Sequence, residues 1–296
     1  MSYSSKWGYT PDKEAIAHNL ELIASNLENI ATEDVYKFCF GIMDQTTLNA
    51  DDTPEKVKAM VEKVNGIPVN FPGWPLPASC CVYPNLGHVV AATRKDPALH
   101  VTTVAGCFPT SQSWLEVKLK EIELAVRGGA DEIDIVLALN TFLAGDYGAA
   151  GAEIKASREC IDRVAAELGR PVVLKVILET GLLVSPELIA DASFLAMENG
   201  ADFIKTSTGK VKVNATPQAA WVMCECIKKY YEATGRKVGF KAAGGVSSAL
   251  DAVCYYSIVN SILGKEWMDK EFFRFGVSSL ANKLLSAVEQ KTVTYF

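Results

Sequence analysis

Five short apolar runs of this 296-residue chain carry an ionisable residue where a buried strand would hold one: Asp44, Asp134, Lys175, Lys205 and Lys241. A lysine is costly to bury without a partner, and two or three facing a common axis repel one another. The chemistry that uses such an arrangement is amine chemistry. A lysine attacks a carbonyl only when neutral, and its reference pKa of about 10.4 must fall by roughly 3 units for a large neutral fraction at pH 7. A second ammonium nearby and partial desolvation both push it down. Lys241, on the run after that of Lys205, supplies the like charge, and Asp134 supplies a carboxylate that can move protons. A plainer reading stays open, in which Lys175 and Asp134 form a structural ion pair while the other lysines extend to the rim.

Anion chemistry is suggested at three later run ends. Gly209-Lys210 follows the sixth run, Ala243-Gly244-Gly245-Val246 the seventh, and Gly276-Val277-Ser278-Ser279 the eighth. Glycines let backbone N–H groups approach a phosphate, and helices beginning near Ser247 and Ser278 would turn their positive ends toward it. Each turn alone reads equally as a short strand–helix connection with a serine cap.

The elements that must position these residues follow from the hydrophobic pattern. Eight β-like runs are FCFGIMD (38–44), SCCVYP (79–84), HVTTVAG (100–106), DEIDIV (131–136), VVLKVIL (172–178), DFIKTST (202–208), VGFKAAG (238–244) and FRFGV (273–277). Longer segments between them show helical periodicity, as in SWLEVKLKEIELAVRGG, where Leu115, Leu119, Ile122 and Val126 recur every three or four residues before two glycines. Near-continuous apolar strands alternating with helices, without a linker or a break in composition, predict a single α/β domain, a TIM-type (β/α)8 barrel. Such a barrel routinely uses about 250 residues. The expected divisions are an N-terminal helical extension over 1–35, begun by Pro11 and carrying Ile16, Leu20, Ile23 and Leu27, a catalytic barrel over 36–290, and a tail over 291–296.

Composition excludes several classes. With 35 acidic against 29 basic residues and a net charge of −6, the chain has no electrostatic footprint for nucleic acid or an anionic membrane surface. No secretory leader or run long enough to span a bilayer occurs, so a cytoplasmic location is expected, and the eight cysteines read as reduced core thiols. His18, His88 and His100 are scattered and no paired CxxC occurs, so no metal is expected. No GxGxxG follows a strand, and TSTGKV lacks the first glycine of a nucleotide-binding loop, having Ile204 there.

At these positions the residues resemble the class I deoxyribose-phosphate aldolases. The motifs are Asp44-Gln-Thr-Thr-Leu-Asn49, Cys81-Val-Tyr-Pro84, Gly129-Ala-Asp-Glu-Ile-Asp134, Leu174-Lys-Val-Ile177, GADFIKTSTGK (200–210), Val213-Asn-Ala-Thr216, Val238-Gly-Phe-Lys-Ala-Ala-Gly-Gly245 and Phe275-Gly-Val-Ser-Ser279. They occur in family order from about residue 37 to 285, and the eleven-residue GADFIKTSTGK block is the most specific.

The resemblance implies reversible cleavage of 2-deoxy-D-ribose 5-phosphate to acetaldehyde and D-glyceraldehyde 3-phosphate through a lysine Schiff base, without metal or cofactor. It makes Lys205 the imine-forming lysine, Lys241 the neighbour that lowers its pKa, Asp134 the proton-relay carboxylate, and Lys175 the group that orients Asp134. Asp44 and Thr46 are expected as a polar wall near the sugar hydroxyls, Cys81 as a lining residue near the aldehyde, Thr208 as a further substrate-binding residue, and Gly209, Lys210, Gly244, Gly245, Ser278 and Ser279 around the phosphate. Partners are then small phosphosugars and aldehydes, with no nucleic acid or membrane; similar proteins are commonly dimers, so a homodimer is admitted but not fixed. A related lysine aldolase or transaldolase acting on another phosphosugar, or a catalytically dead phosphosugar-binding regulator, are the rivals.

Three departures from the family pattern stand out. Lys241-Ala-Ala-Gly-Gly245 replaces the usual KPAGG, the leader is longer than in compact members, and the tail ends Thr294-Tyr-Phe296. Some similar proteins end in a tyrosine that assists enamine protonation. Here Tyr295 is the candidate tail relay, displaced by Phe296 by about 3.5 Å of reach, the alternative being a frayed terminus.

Overall fold

The computed structural model describes residues 3–296, so Met1 and Ser2 of the expected leader lie outside the described residues. Eight parallel strands close into a barrel in sequential order: β1 (Met43–Thr46), β2 (Ser79–Val82), β3 (His100–Val104), β4 (Glu132–Val136), β5 (Val173–Ile177), β6 (Phe203–Lys205), β7 (Gly239–Ala243) and β8 (Phe273–Val277). β8 pairs with β1 and completes the ring. Helices connect successive strands on the outside, the expected (β/α)8 architecture.

Strand alternation divides two cores. Ile133, Ile135, Leu174, Val176, Ile204, Phe240 and Ala242 point outward into the helix-packed core, while Asp134, Lys175, Lys205 and Lys241, on the other face of the same strands, converge on the axis. Turn chemistry supports this arrangement. After the helix Leu115–Arg127, Gly129 takes a φ of 101°, a left-handed conformation that turns the chain into β4.

The first strand differs from its expected position. The run 38–44 reads as a strand because it is aromatic and apolar, yet Phe38 to Gly41 end a helix, Glu33–Gly41, and β1 starts at Met43. The Thr32 side chain caps that helix, accepting from the Val35 N–H, and Glu33 and Asp34 in its first turn favour its positive end. The helix runs across the expected boundary at 35/36. Its predecessor, Lys13–Ile30, begins after an Asp12 cap rather than at Pro11 and packs on the helix Ala249–Leu263. Trp7 stacks on Phe194, with ring centroids 5.3 Å apart, and donates from its indole to Glu198, tying the leader to the outside of the barrel.

Candidate active site

The inward residues of the strands form a buried ionic cluster. Three carboxylates, Asp44, Glu132 and Asp134, share the barrel interior with Lys175, Lys205, Lys241 and Arg274, and none of the seven is more than 3% exposed. Asp134 is the hub: its Oδ2 accepts from Lys205 at 2.8 Å and from Lys241 at 2.8 Å, and its Oδ1 from Lys175 at 2.9 Å. Lys241 also bonds Asp44, and Lys175 also pairs with Glu132. Beneath them Arg274 spans Asp44 at 2.7 Å and Glu132 at 2.8 Å, and His100 meets Glu132 at 2.7 Å.

The cluster holds one basic group more than it has carboxylates. Three carboxylates balance Lys175, Lys241 and Arg274, whereas a protonated Lys205 leaves one positive charge uncompensated in the interior. The pKa directions agree. Burial, assisted by the Lys241 ammonium, pushes the Lys205 amine down despite its bond to Asp134. Burial opposes the charge of Lys241 and Lys175 as well, but Asp134 with Asp44 holds the first up, and Asp134 with Glu132 the second. Against the same burial penalty, Lys175, Lys205 and Lys241 hold the Asp134 carboxyl well below the usual range. Desolvation is thus the leading cause at Lys205, ahead of the like charge.

Above the cluster a cavity of about 390 Å³ opens at the C-terminal ends of the strands, and Lys205 reaches it. Thr46, Thr208, Gly209, Lys210, Gly244, Gly245, Ser278 and Ser279 line it, so three of the later strand ends meet in one place. Gly209, Gly244 and Gly245 all have positive φ, at 79°, 67° and 75°, which favours glycine at these turns. Gly276 has a different reason: a Cβ there would stand 3.0 Å from Lys241 Cε, so its absence makes room for that side chain. Three larger grooves, about 430, 670 and 880 Å³, lie elsewhere on the surface, but no buried lysine lines any of them.

Two of the expected residues, Asp44 and Tyr295, stand elsewhere, and Cys81, which is close enough to Lys205 for their charges to interact, lies deeper than a lining position. Asp44 does not form a wall of the cavity: it points inward one step below Thr46, fully buried, where Lys241 and Arg274 claim its oxygens. Cys81 is also beneath the surface, packed with Leu48 and Val104, and burial pushes its thiol up to about 11. Tyr295 is not brought to the site. Its hydroxyl donates to the Lys63 carbonyl at 2.8 Å, at the end of the helix Pro54–Asn65, while its ring packs edge-on against Phe71. The helix Leu280–Glu289 starts beside β8's C-terminal end and runs back down the barrel, so the tail emerges at the face opposite the cavity. It is neither frayed nor at the mouth: Asn282 accepts from the N–H groups of both Tyr295 and Phe296 at 3.0 Å.

Reading the runs for one charge each misses Glu132 and Arg274, although DEIDIV and FRFGV display them. It also misses Glu179, directly after the fifth run, where the rule of inspecting strand ends could have found it.

Comparison with known proteins now decides the family: a model described as DeoC/LacD family aldolase matches residues 39–282. The chain belongs to that aldolase family. The aldolase is 37% identical over 286 residues to a Caenorhabditis elegans protein named "Putative deoxyribose-phosphate aldolase", covering 94% of this chain and 89% of that one. A crystal structure of an apo-form "putative deoxyribose-phosphate aldolase" from Toxoplasma gondii ME49 matches with a TM-score of 0.72 at 21% identity, over 87% of this chain and 98% of that one. Deoxyribose phosphate aldolase from Aeropyrum pernix, described as having a unique tetrameric structure, matches with a TM-score of 0.65 at 24% identity, over 95% and 100% of the two chains. The solved structures share the barrel fold, and the family resemblance read from the motifs is borne out. Among the described residues no helix is long and apolar enough to cross a membrane.

Proposed function

We propose that this aldolase reversibly cleaves 2-deoxy-D-ribose 5-phosphate to acetaldehyde and D-glyceraldehyde 3-phosphate through a Schiff base on Lys205. One observation carries the reading: Lys205 is the amine that both reaches the cavity and is pushed toward neutrality, while Lys175 and Lys241 stay protonated beneath it. The substrate assignment is supported by the name of the C. elegans relative and by the glycine- and serine-lined half of the cavity.

The neutral amine attacks C1 of the open-chain sugar, and loss of water gives a protonated imine. That imine is the electron sink. Removal of the C3 hydroxyl proton lets the C2–C3 bond break, releasing D-glyceraldehyde 3-phosphate and leaving the C2 electron pair as an enamine. Protonation at C2 and hydrolysis then return acetaldehyde and the free amine. Asp134, bonded to Lys205 and Lys241, is the carboxylate of the proton relay. Lys175 holds its other oxygen. Thr208, Gly209, Lys210, Gly244, Gly245, Ser278 and Ser279 hold the phosphate, Lys210 with a fixed charge and the turns with N–H groups. No bound cofactor is needed, because the imine itself stabilises the carbanion.

The test is borohydride reduction in the presence of acetaldehyde, followed by peptide mass spectrometry. A two-carbon adduct on the Lys205 peptide is expected. An adduct on Lys175 or Lys241 instead would overturn the assignment, and failure to cleave the phosphosugar would overturn the substrate.

A further inference from the structure

Glu179 is a buried carboxylate that the amine chemistry does not use. It lies two residues past the end of β5, is only 2% exposed, and no basic side chain pairs with it among the described residues. Its backbone is left-handed, with φ 56° and ψ 56°, a conformation that costs a non-glycine residue on the order of 1 kcal/mol. A buried, unpaired acid in an unfavourable backbone conformation persists only where its surroundings over-determine it.

What determines it is Thr208. Glu179 Oε1 accepts the Thr208 N–H at 3.1 Å and Oε2 accepts the Thr208 hydroxyl at 2.5 Å. With its proton committed to Glu179, that hydroxyl accepts the Lys210 N–H at 3.0 Å. A neighbouring bond, Thr180 N–H to the Thr206 carbonyl at 2.9 Å, ties the same two loops together. The loop so fastened runs from Lys205 to Lys210, and Thr208, Gly209 and Lys210 face the cavity while Glu179 stands behind them. A carboxylate suits this place better than an amide because both Thr208 groups are donors, whereas an amide offers one acceptor and turns its NH2 toward the hydroxyl.

We infer that Glu179 is a positioning residue: it fixes Thr208 and Lys210 on the phosphate side of the cavity and thereby sets the preference for phosphorylated over unphosphorylated substrate. The inference rests on the proposed phosphosugar reaction and adds to it a residue that touches neither the reacting carbon nor the phosphate.

The experiment compares 2-deoxyribose 5-phosphate with 2-deoxyribose in the wild type, Glu179→Gln, Thr208→Val, Thr208→Ser and the Glu179→Gln/Thr208→Val pair, with acetaldehyde trapping on Lys205 alongside. Glu179→Gln is expected to raise KM for the phosphosugar about tenfold, with kcat, the unphosphorylated reaction and trapping within about twofold. Thr208→Val, which also removes a hydroxyl on the phosphate side, should lose at least as much on the phosphosugar, Thr208→Ser should recover most of that loss, and the double variant should be little worse than Thr208→Val alone. If Glu179→Gln does not fold, the two Thr208 variants break and restore the same bond from the other side. Equal losses on both sugars, no loss, or additive losses would overturn the inference while leaving the aldolase reading intact. A wild type without preference for the phosphosugar would overturn the phosphate reading and this inference with it.

Discussion

Lys205 and Lys241 donate to one carboxylate oxygen, Asp134 Oδ2, each at 2.8 Å, from paired positions on adjacent strands. Lys241 has a second carboxylate, Asp44, whereas among the described residues Lys205 pairs with Asp134 alone. Two ammoniums on one oxygen repel, and the less compensated one gives up its proton more readily. On the proposed mechanism, the asymmetry that would make one lysine the nucleophile and the other a fixed charge is the position of Asp44, on the strand where sequence reading placed a sugar contact.

Lys241→Leu removes that fixed charge. Lys205 then loses a repelling neighbour and keeps more of Asp134 to itself, and both effects favour its protonated form. On the proposed mechanism activity rises with pH as Lys205 loses its proton, so the acid limb of the kcat/KM profile should move to higher pH, with activity near pH 7 falling at least tenfold. An active variant with an unmoved limb would show that burial alone sets the amine.

Asp134→Asn should fold less stably and lower kcat by on the order of 10²-fold, because three basic groups lose their common acceptor and the relay its carboxylate. Measuring kcat and KM separately checks this: a loss confined to KM would assign Asp134 to binding.

The carboxylate cluster also has a signature in stability. Burial opposes ionisation of Asp44, Glu132 and Asp134, but their cations hold all three below their ordinary values. Each then binds its proton less readily when folded than when unfolded. Their contribution is complete above the unfolded values, about pH 4, and is lost as pH falls toward the folded ones. Thermal unfolding followed from pH 6 to pH 3 should show Tm dropping steeply below about pH 4, and a flat profile would contradict the network.

Ser278→Asp would place a negative charge in the half of the cavity assigned to phosphate. Like charges brought together at a binding site cost several kcal/mol, so kcat/KM for the phosphosugar should fall about 10²-fold or more while the unphosphorylated sugar loses little. Parallel kinetics on the two sugars decide the matter, equal damage meaning that these turns are structural.

The strand order and the inner lysines were legible because buried parallel strands leave continuous apolar runs, against which Lys175, Lys205 and Lys241 stand out. Depth along the axis was not. Asp44 and Thr46 alternate onto the same inner face, yet only Thr46 reaches the cavity, and that difference depends on the stagger of strands against one another. Arg274 and Glu132 escaped for a related reason: each is an ordinary charge in its own run and becomes informative only when closure sets β8 beside β1 and brings Arg274 across the axis to β4. The helix Glu33–Gly41 was obscured by its aromatic residues, although Thr32 with Glu33 and Asp34 already signalled a helix start.

The tail is where local reading and tertiary packing part most clearly. A phenol next to the end of the sequence has little to hold it locally, but here Gly66 leaves the space that Tyr295 fills: a Cβ on Gly66 would lie 2.5 Å from the Tyr295 hydroxyl. Gly66 has a φ of −83°, open to any residue, so the requirement is for space rather than backbone freedom. The docked ring and hydroxyl join the last helix to the helix after β1, bracing the closure of the barrel on the face opposite the chemistry. Deleting Thr294 to Phe296 should cost about 2 kcal/mol, or roughly 3–6 °C in Tm, and leave both cleavage and exchange of the acetaldehyde methyl protons in deuterated water unchanged. Gly66→Ala should reproduce part of the Tm loss by the same displacement. Slowed exchange with an unaltered Tm would reverse the conclusion and return Tyr295 to the proton relay.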